Sequence, residues 1–95
     1  MIISGTITDA NAALRDCGAL RVEVWIRQRF RRRMVAQAET DEQGRFSFLF
    51  KEPGRLRRDM YMYVKVFAGD EELPIEGEPR WRSTELPREM RLIVL

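Results

Sequence analysis

The sequence predicts an all-β domain, an antiparallel Greek-key β-sandwich of about seven short strands. Three observations lead there. Apolar and polar side chains alternate in several stretches, which puts successive residues on opposite faces of a sheet. Gly, Pro and Asp punctuate those stretches with turn chemistry. No segment repeats apolar residues at spacings of three and four for long enough to build a long helix, and Ala10 to Leu14 offers at most one short turn.

The elements follow in order. Ile3, Gly5 and Ile7 alternate with Ser4, Thr6 and Thr8 in an opening strand. Leu20, Val22, Val24 and Ile26 share one face of the next, with Arg21, Glu23 and Arg27 opposite and Trp25 among them, the pattern of a half-buried strand. A third strand is expected over about residues 34 to 40. Asp41 then stands three residues before Gly44, placed to cap a tight turn whose glycine takes positive φ, as in a hairpin that ends in a bulge. That turn is expected to join the third strand to one in which Phe46, Phe48 and Phe50 face away from Arg45, Ser47 and Lys51. Pro53-Gly54 ends it.

From Met60 to Phe67 both faces are mostly apolar, with Met60, Met62, Val64 and Val66 on one and Tyr61, Tyr63 and Phe67 on the other, interrupted by Lys65. Such a strand belongs at the centre of a sheet, its second face partly covered. Gly69-Asp70 follows, and Pro74, Pro79 and Pro87 make residues 73 to 87 irregular or an edge. Met90, Leu92 and Val94 alternate with Arg91, Ile93 and Leu95 in a closing strand.

Ninety-five residues form one domain, residues 1 to 95, and build one core, burying only about 60 to 70% of the unfolded surface. The lone Cys17 has no internal disulfide partner, so packing must hold the domain together, which fits a reducing compartment. No signal-peptide pattern and no apolar run of spanning length is present, so a soluble cytosolic protein without membrane contact is expected. Residues 1 to 58 carry 12 basic and 7 acidic side chains, and residues 59 to 95 carry 5 and 8, so the net charge of +2 is unevenly spread. Arg outnumbers Lys fifteen to two. Such a skew suits bidentate partners, and genome base composition gives the same result.

The order of these features resembles the transthyretin-like β-sandwiches, including the carboxypeptidase-regulatory-like modules of bacterial proteins. Ile3-Ser4-Gly5-Thr6-Ile7-Thr8-Asp9 resembles their opening strand, and Val22-Glu23-Val24-Trp25 their second. The stretch Ala38 to Phe48, with Thr40-Asp41, Gly44 and Phe46, resembles their most distinctive hairpin. Asp59 to Val66 resembles the strand that pairs with the second. The likeness covers roughly residues 2 to 68, and its motifs specify fold more than function. In the first loop, Asp16-Cys17-Gly18 stands where the family has a glycine-proline-leucine turn.

The family's enzymatic branch, which hydrolyses 5-hydroxyisourate, is implied to need histidines, an arginine and a C-terminal tyrosine-arginine-glycine-serine tetrapeptide. This chain has no histidine and ends Leu92-Ile93-Val94-Leu95, so that activity is not expected. Without histidine, triads and zinc sites lose their usual parts. Asp70, Glu71, Glu72, Glu76 and Glu78 surround a proline-containing loop, where paired carboxylates do glycosidase chemistry or bind calcium, or where they form a solvated loop. Cys17 lies beside Arg15 and Asp16 with no base to activate it. No enzyme, metal or small-molecule cofactor is expected.

Two surfaces remain. The run Arg27, Arg29, Arg31, Arg32 and Arg33 around Phe30, with Arg55, Arg57 and Arg58 as a second cluster, has the makeup of a nucleic-acid or polyanion contact. It also suits a solvated hairpin tip that blocks edge-to-edge pairing. The resemblance implies that Trp25 shares an outer face with Tyr61 and Tyr63, a composition typical of protein-protein hot spots. A loop or the Trp81 segment folded over that face would instead make it a minor core. The leading expectation is a non-catalytic adaptor that holds a protein partner. Similar modules on the spike and tip proteins of bacterial type VI secretion systems are thought to dock toxic effectors, which implies possible export with such an apparatus. Polyanion binding and a glycan-binding or adhesion role are the alternatives.

Overall fold

The structure, a computed structural model, describes residues 2–9, 19–49, 60–77, 79–82 and 87–95. The Ala10–Leu14 turn, Cys17 with Arg15 and Asp16, Phe50, Lys51, Pro53-Gly54, Arg55, Arg57, Arg58 and Glu78 lie outside the described residues.

Eight strands follow one another: Ile2–Asp9 (β1), Arg21–Gln28 (β2), Arg31–Glu39 (β3), Arg45–Leu49 (β4), Met60–Ala68 (β5), Glu71–Leu73 (β6), Arg80–Arg82 (β7) and Glu89–Val94 (β8). They form two sheets. The small one runs β4-β1-β8; the large one runs β3-β2-β5, with β6 and β7 in tandem on the far edge of β5. One parallel pairing, β1 with β8, breaks the antiparallel order expected from the sequence. Parallel neighbours need a long connection, and here nearly the whole chain separates the two strands.

The period-two pattern explains the layering. Ile3, Ile7, Phe46, Phe48, Met90, Leu92 and Val94 point inward from the small sheet, and Val22, Val24, Ile26, Met62, Val64 and Val66 from the large one, into a single buried cluster. The Phe46 and Phe48 rings stack with centres 6.2 Å apart. The two sheets thus pack face to face as a β-sandwich.

The turn at Thr40–Arg45 has the expected chemistry but a different role. Asp41 accepts hydrogen bonds from the backbone N–H groups of Gln43 and Arg45 at 2.8 and 2.9 Å, and Gly44 takes φ 77°. Its flanking strands β3 and β4 belong to opposite sheets, so it is a corner that carries the chain across the sandwich rather than a hairpin within one ladder. Thr40 anchors the corner: its hydroxyl accepts from the buried Leu20 N–H at 2.9 Å, and its own N–H donates to the Leu20 carbonyl.

β3 starts at Arg31, earlier than the expected residue 34, so Arg31, Arg32 and Arg33 lie in a strand and only Arg29-Phe30 form the tip. Arg29 adopts φ 43° there, the positive φ that two-residue hairpins use. Between Val24 and Trp25 the register slips, leaving Val35 as an extra residue on β3. No helix of the described residues is long and apolar enough to cross a membrane.

Candidate functional site

The outer face of the large sheet collects the distinctive side chains. In register across β2 and β5, Arg21 lies beside Phe67, Glu23 beside Lys65, Trp25 beside Tyr63 and Arg27 beside Tyr61. β3 adds Met34 next to Trp25 and Arg32 next to Arg27, and β7 adds Arg80 next to Tyr63 and Arg82 next to Tyr61. Trp25, Tyr61 and Tyr63 therefore form a contiguous aromatic surface. Trp81 pairs with the buried Met62 and packs against the core from the inner side, so the idea that its segment folds over the outer face is corrected. Alternation decides this, because Arg80 and Arg82 take the outward positions of β7.

Cations are threaded between the rings. Arg21 stands 4.7 Å from the Phe67 ring centre, Lys65 5.0 Å from that of Trp25, and Arg80 5.3 Å from that of Tyr61. Such contacts contribute about 0.5–1 kcal/mol each at exposed sites. Arg27 donates to the Tyr61 hydroxyl at 3.2 Å. Glu23, at 8% exposure, is the one buried carboxylate among the described residues; the Arg21 Nε and Trp25 Nε1 groups occupy its two oxygens, each at 2.9 Å. The Trp25 ring is thus held in place by a hydrogen bond and a cation, at little further entropic cost on binding.

Along the far edge of β5, β7 pairs with Tyr61 to Tyr63 and β6 with Val66 to Ala68, while Val64 and Lys65 have no strand partner on that edge among the described residues. An open cleft of about 540 Å³ lies here. Arg27, Arg32, Lys65 and Arg80 line it, with Glu72 as the only acidic side chain among the described residues; Tyr61 and Tyr63 also line it, and Leu73, Pro74, Ile75 and Pro79 supply an apolar wall. The Tyr63 hydroxyl is buried and has no hydrogen-bond partner among the described residues, a state that costs about 1–3 kcal/mol.

The arginine run does not form one patch. Strand alternation sends Arg27 and Arg32 to the aromatic face, while Arg31 and Arg33, opposite Gln28 and Ile26, project to the other side. Arg29 sits at the tip beside Phe30, which is 99% exposed. Sequence reasoning singled out Trp25, Tyr61, Tyr63 and the arginines but missed Lys65, Arg80 and the cleft. Alternation places Lys65 on this face; nothing local signals that β7 returns to the edge of β5.

Asp70, Glu71, Glu72 and Glu76 are exposed. Among the described residues no group of three or more His, Cys, Asp or Glu stands close enough to hold a metal ion. No family model, no curated protein and no solved structure matches the chain.

Proposed function

We propose that the chain is a non-catalytic, transthyretin-like adaptor that holds a protein partner on the outer face of its large sheet, in the manner of modules that dock an effector onto a bacterial secretion apparatus. The observation that carries this reading is the side-by-side placement of Trp25, Tyr63 and Tyr61 on a solvent-facing sheet with Arg27, Lys65 and Arg80 between them. Trp, Tyr and Arg dominate binding energy at protein interfaces, the aromatics because they bury large areas while ordering few torsions and Arg because its planar fork makes several directed hydrogen bonds. The outer face of the small sheet differs: Ser4, Thr6, Ser47 and Arg91 point outward there together with the exposed aliphatics Ile2, Leu49 and Ile93, and among the described residues no aromatic does. The pairing of β2 with β5 supports the transthyretin-like component, since the resemblance implies that pairing.

Partner capture by purified variants tests the proposal. Trp25→Ala and Tyr63→Ala should each weaken capture by more than about 1 kcal/mol while circular dichroism shows a folded sheet. Full-strength capture by both would contradict it.

Polyanion binding is the second reading, favoured by the fully exposed Phe30 between Arg29 and Arg31 at the β2–β3 tip. Salt separates the two. A polyanion complex should lose most of its affinity between about 50 and 200 mM salt, whereas an aromatic-centred protein interface should change far less.

A further inference from the structure

We infer that the cleft beside β5 is a receptor for an acidic peptide segment, whose carboxylate accepts from the Tyr63 hydroxyl and pairs with Arg27 and Lys65 while its apolar neighbours rest on Leu73 and Ile75. The inference rests on the reading that a protein partner occupies the outer face, and it specifies that partner's chemistry.

Charge comes first. Arg27, Arg32, Lys65 and Arg80 converge on one cleft, where Glu72 supplies the single side-chain carboxylate among the described residues. Among the described residues, no carboxylate lies within salt-bridge distance of Arg27, Arg32 or Lys65. Glu23 faces Lys65 across the ladder, but its oxygens are engaged by Arg21 and Trp25. Three like charges held together outnumber the carboxylates of Glu72 and Glu23 beside them, and an incoming carboxylate relieves the remaining repulsion.

The buried hydroxyl is the second, independent observation. Tyr63 lines the cleft, and its O–H, out of solvent and without a partner among the described residues, meets an occupant once the ring turns toward the cleft. A phenol donates one hydrogen bond and accepts others, and beside three cations the group best matched to it is an anionic acceptor, whose charge-assisted bond is about twice as strong as a neutral one.

The wall identifies the anion's carrier. Leu73, Pro74, Ile75 and Pro79 give the cleft an apolar side, which a bare phosphate or a nucleic-acid backbone leaves unused. A peptide carrying an acidic residue among apolar ones fills both sides. The backbone edge at Val64 and Lys65, without a strand partner between β6 and β7 among the described residues, lies along the same cleft and suits an extended segment.

The test uses the full chain and a pool of acetylated, amidated hexapeptides, each with one Glu among apolar residues, followed by backbone amide shifts and Trp25 emission. The Glu pool should shift the amides of Tyr63 and Lys65, and a pool with Gln in place of Glu should bind at least about tenfold more weakly. Tyr63→Phe keeps the ring and removes the hydroxyl; it should weaken the Glu pool by about three- to tenfold, and Lys65→Gln should do likewise while reducing the salt dependence. Equal binding of the two pools, absence of binding, or shifts confined to the Arg29-Phe30 tip would overturn the inference. So would competition by inorganic phosphate at the peptide's own concentration, because the apolar wall would then contribute nothing. If the peptides fail while Trp25→Ala still weakens capture of the whole partner, only the cleft inference falls; if Trp25→Ala is also without effect, the outer-face reading falls with it.

Discussion

A Cβ added to Gly5 would stand 2.5 Å from the Phe46 ring and 2.6 Å from the Met90 carbonyl oxygen, closer than atoms can approach. β1 lies between β4 and β8, and the missing side chain is what lets the Phe46 ring cover it. Gly5→Ala should therefore destabilise the domain by about 1–3 kcal/mol in urea unfolding, the usual cost of overpacking, and an unchanged midpoint would show that the ring moves freely. Phe48, at 7% exposure, fills the core beside it, and Phe48→Ala should cost about 3–5 kcal/mol. Asp41 behaves differently because it lies on the surface. Its carboxylate accepts the Arg45 N–H first and then the Gln43 N–H and the Arg45 side chain, and these hold its pKa below the ordinary Asp value. A depressed carboxylate stabilises the fold above its unfolded pKa of about 3.9, and that contribution disappears as pH falls through the lower folded value. Asp41→Asn should accordingly remove part of the acid sensitivity of unfolding below about pH 4, while an acid limb identical to that of the parent would show that the corner contributes nothing.

At the scale of elements, the strands that were legible are those with one dry face. The alternation of Val22, Val24 and Ile26, and of Met62, Val64 and Val66, marks β2 and β5 because each buries those residues against the small sheet. The start of β3 was not legible, since Arg31, Arg32 and Arg33 are all exposed and polarity cannot alternate where neither face is buried. The Thr40–Arg45 corner looked like a hairpin for a related reason. Asp41 and Gly44 fix the turn locally, but whether the next strand rejoins the same sheet depends on contacts that no local motif encodes. β3 also forms an exposed edge of the large sheet, and its arginines oppose pairing with a second edge through charge. Replacing Arg31, Arg32 and Arg33 together with Thr should shift the protein toward larger species in sedimentation velocity; an unchanged distribution would assign the arginines another role.

For the molecule as a whole, the two outer faces of the sandwich differ in kind. The small sheet presents hydroxyl and charged groups with the aliphatic Ile2, Leu49 and Ile93, whereas the large sheet presents the rings of Trp25, Tyr61, Tyr63 and Phe67, interleaved cations and a cleft. The sequence made the aromatic half of this asymmetry visible, because Trp25, Tyr61 and Tyr63 occupy the positions opposite the core residues of their strands. It hid the cleft, which exists only because β7 returns to the edge of β5 and β6 stops short of it. A photoreactive phenylalanine analogue placed in turn at position 61, on the large sheet, and at position 47, on the small one, discriminates most directly between the faces. Crosslinking of the partner from position 61 and not from 47 is the expected result, and crosslinking from 47 alone would contradict the assignment of the binding face to the large sheet.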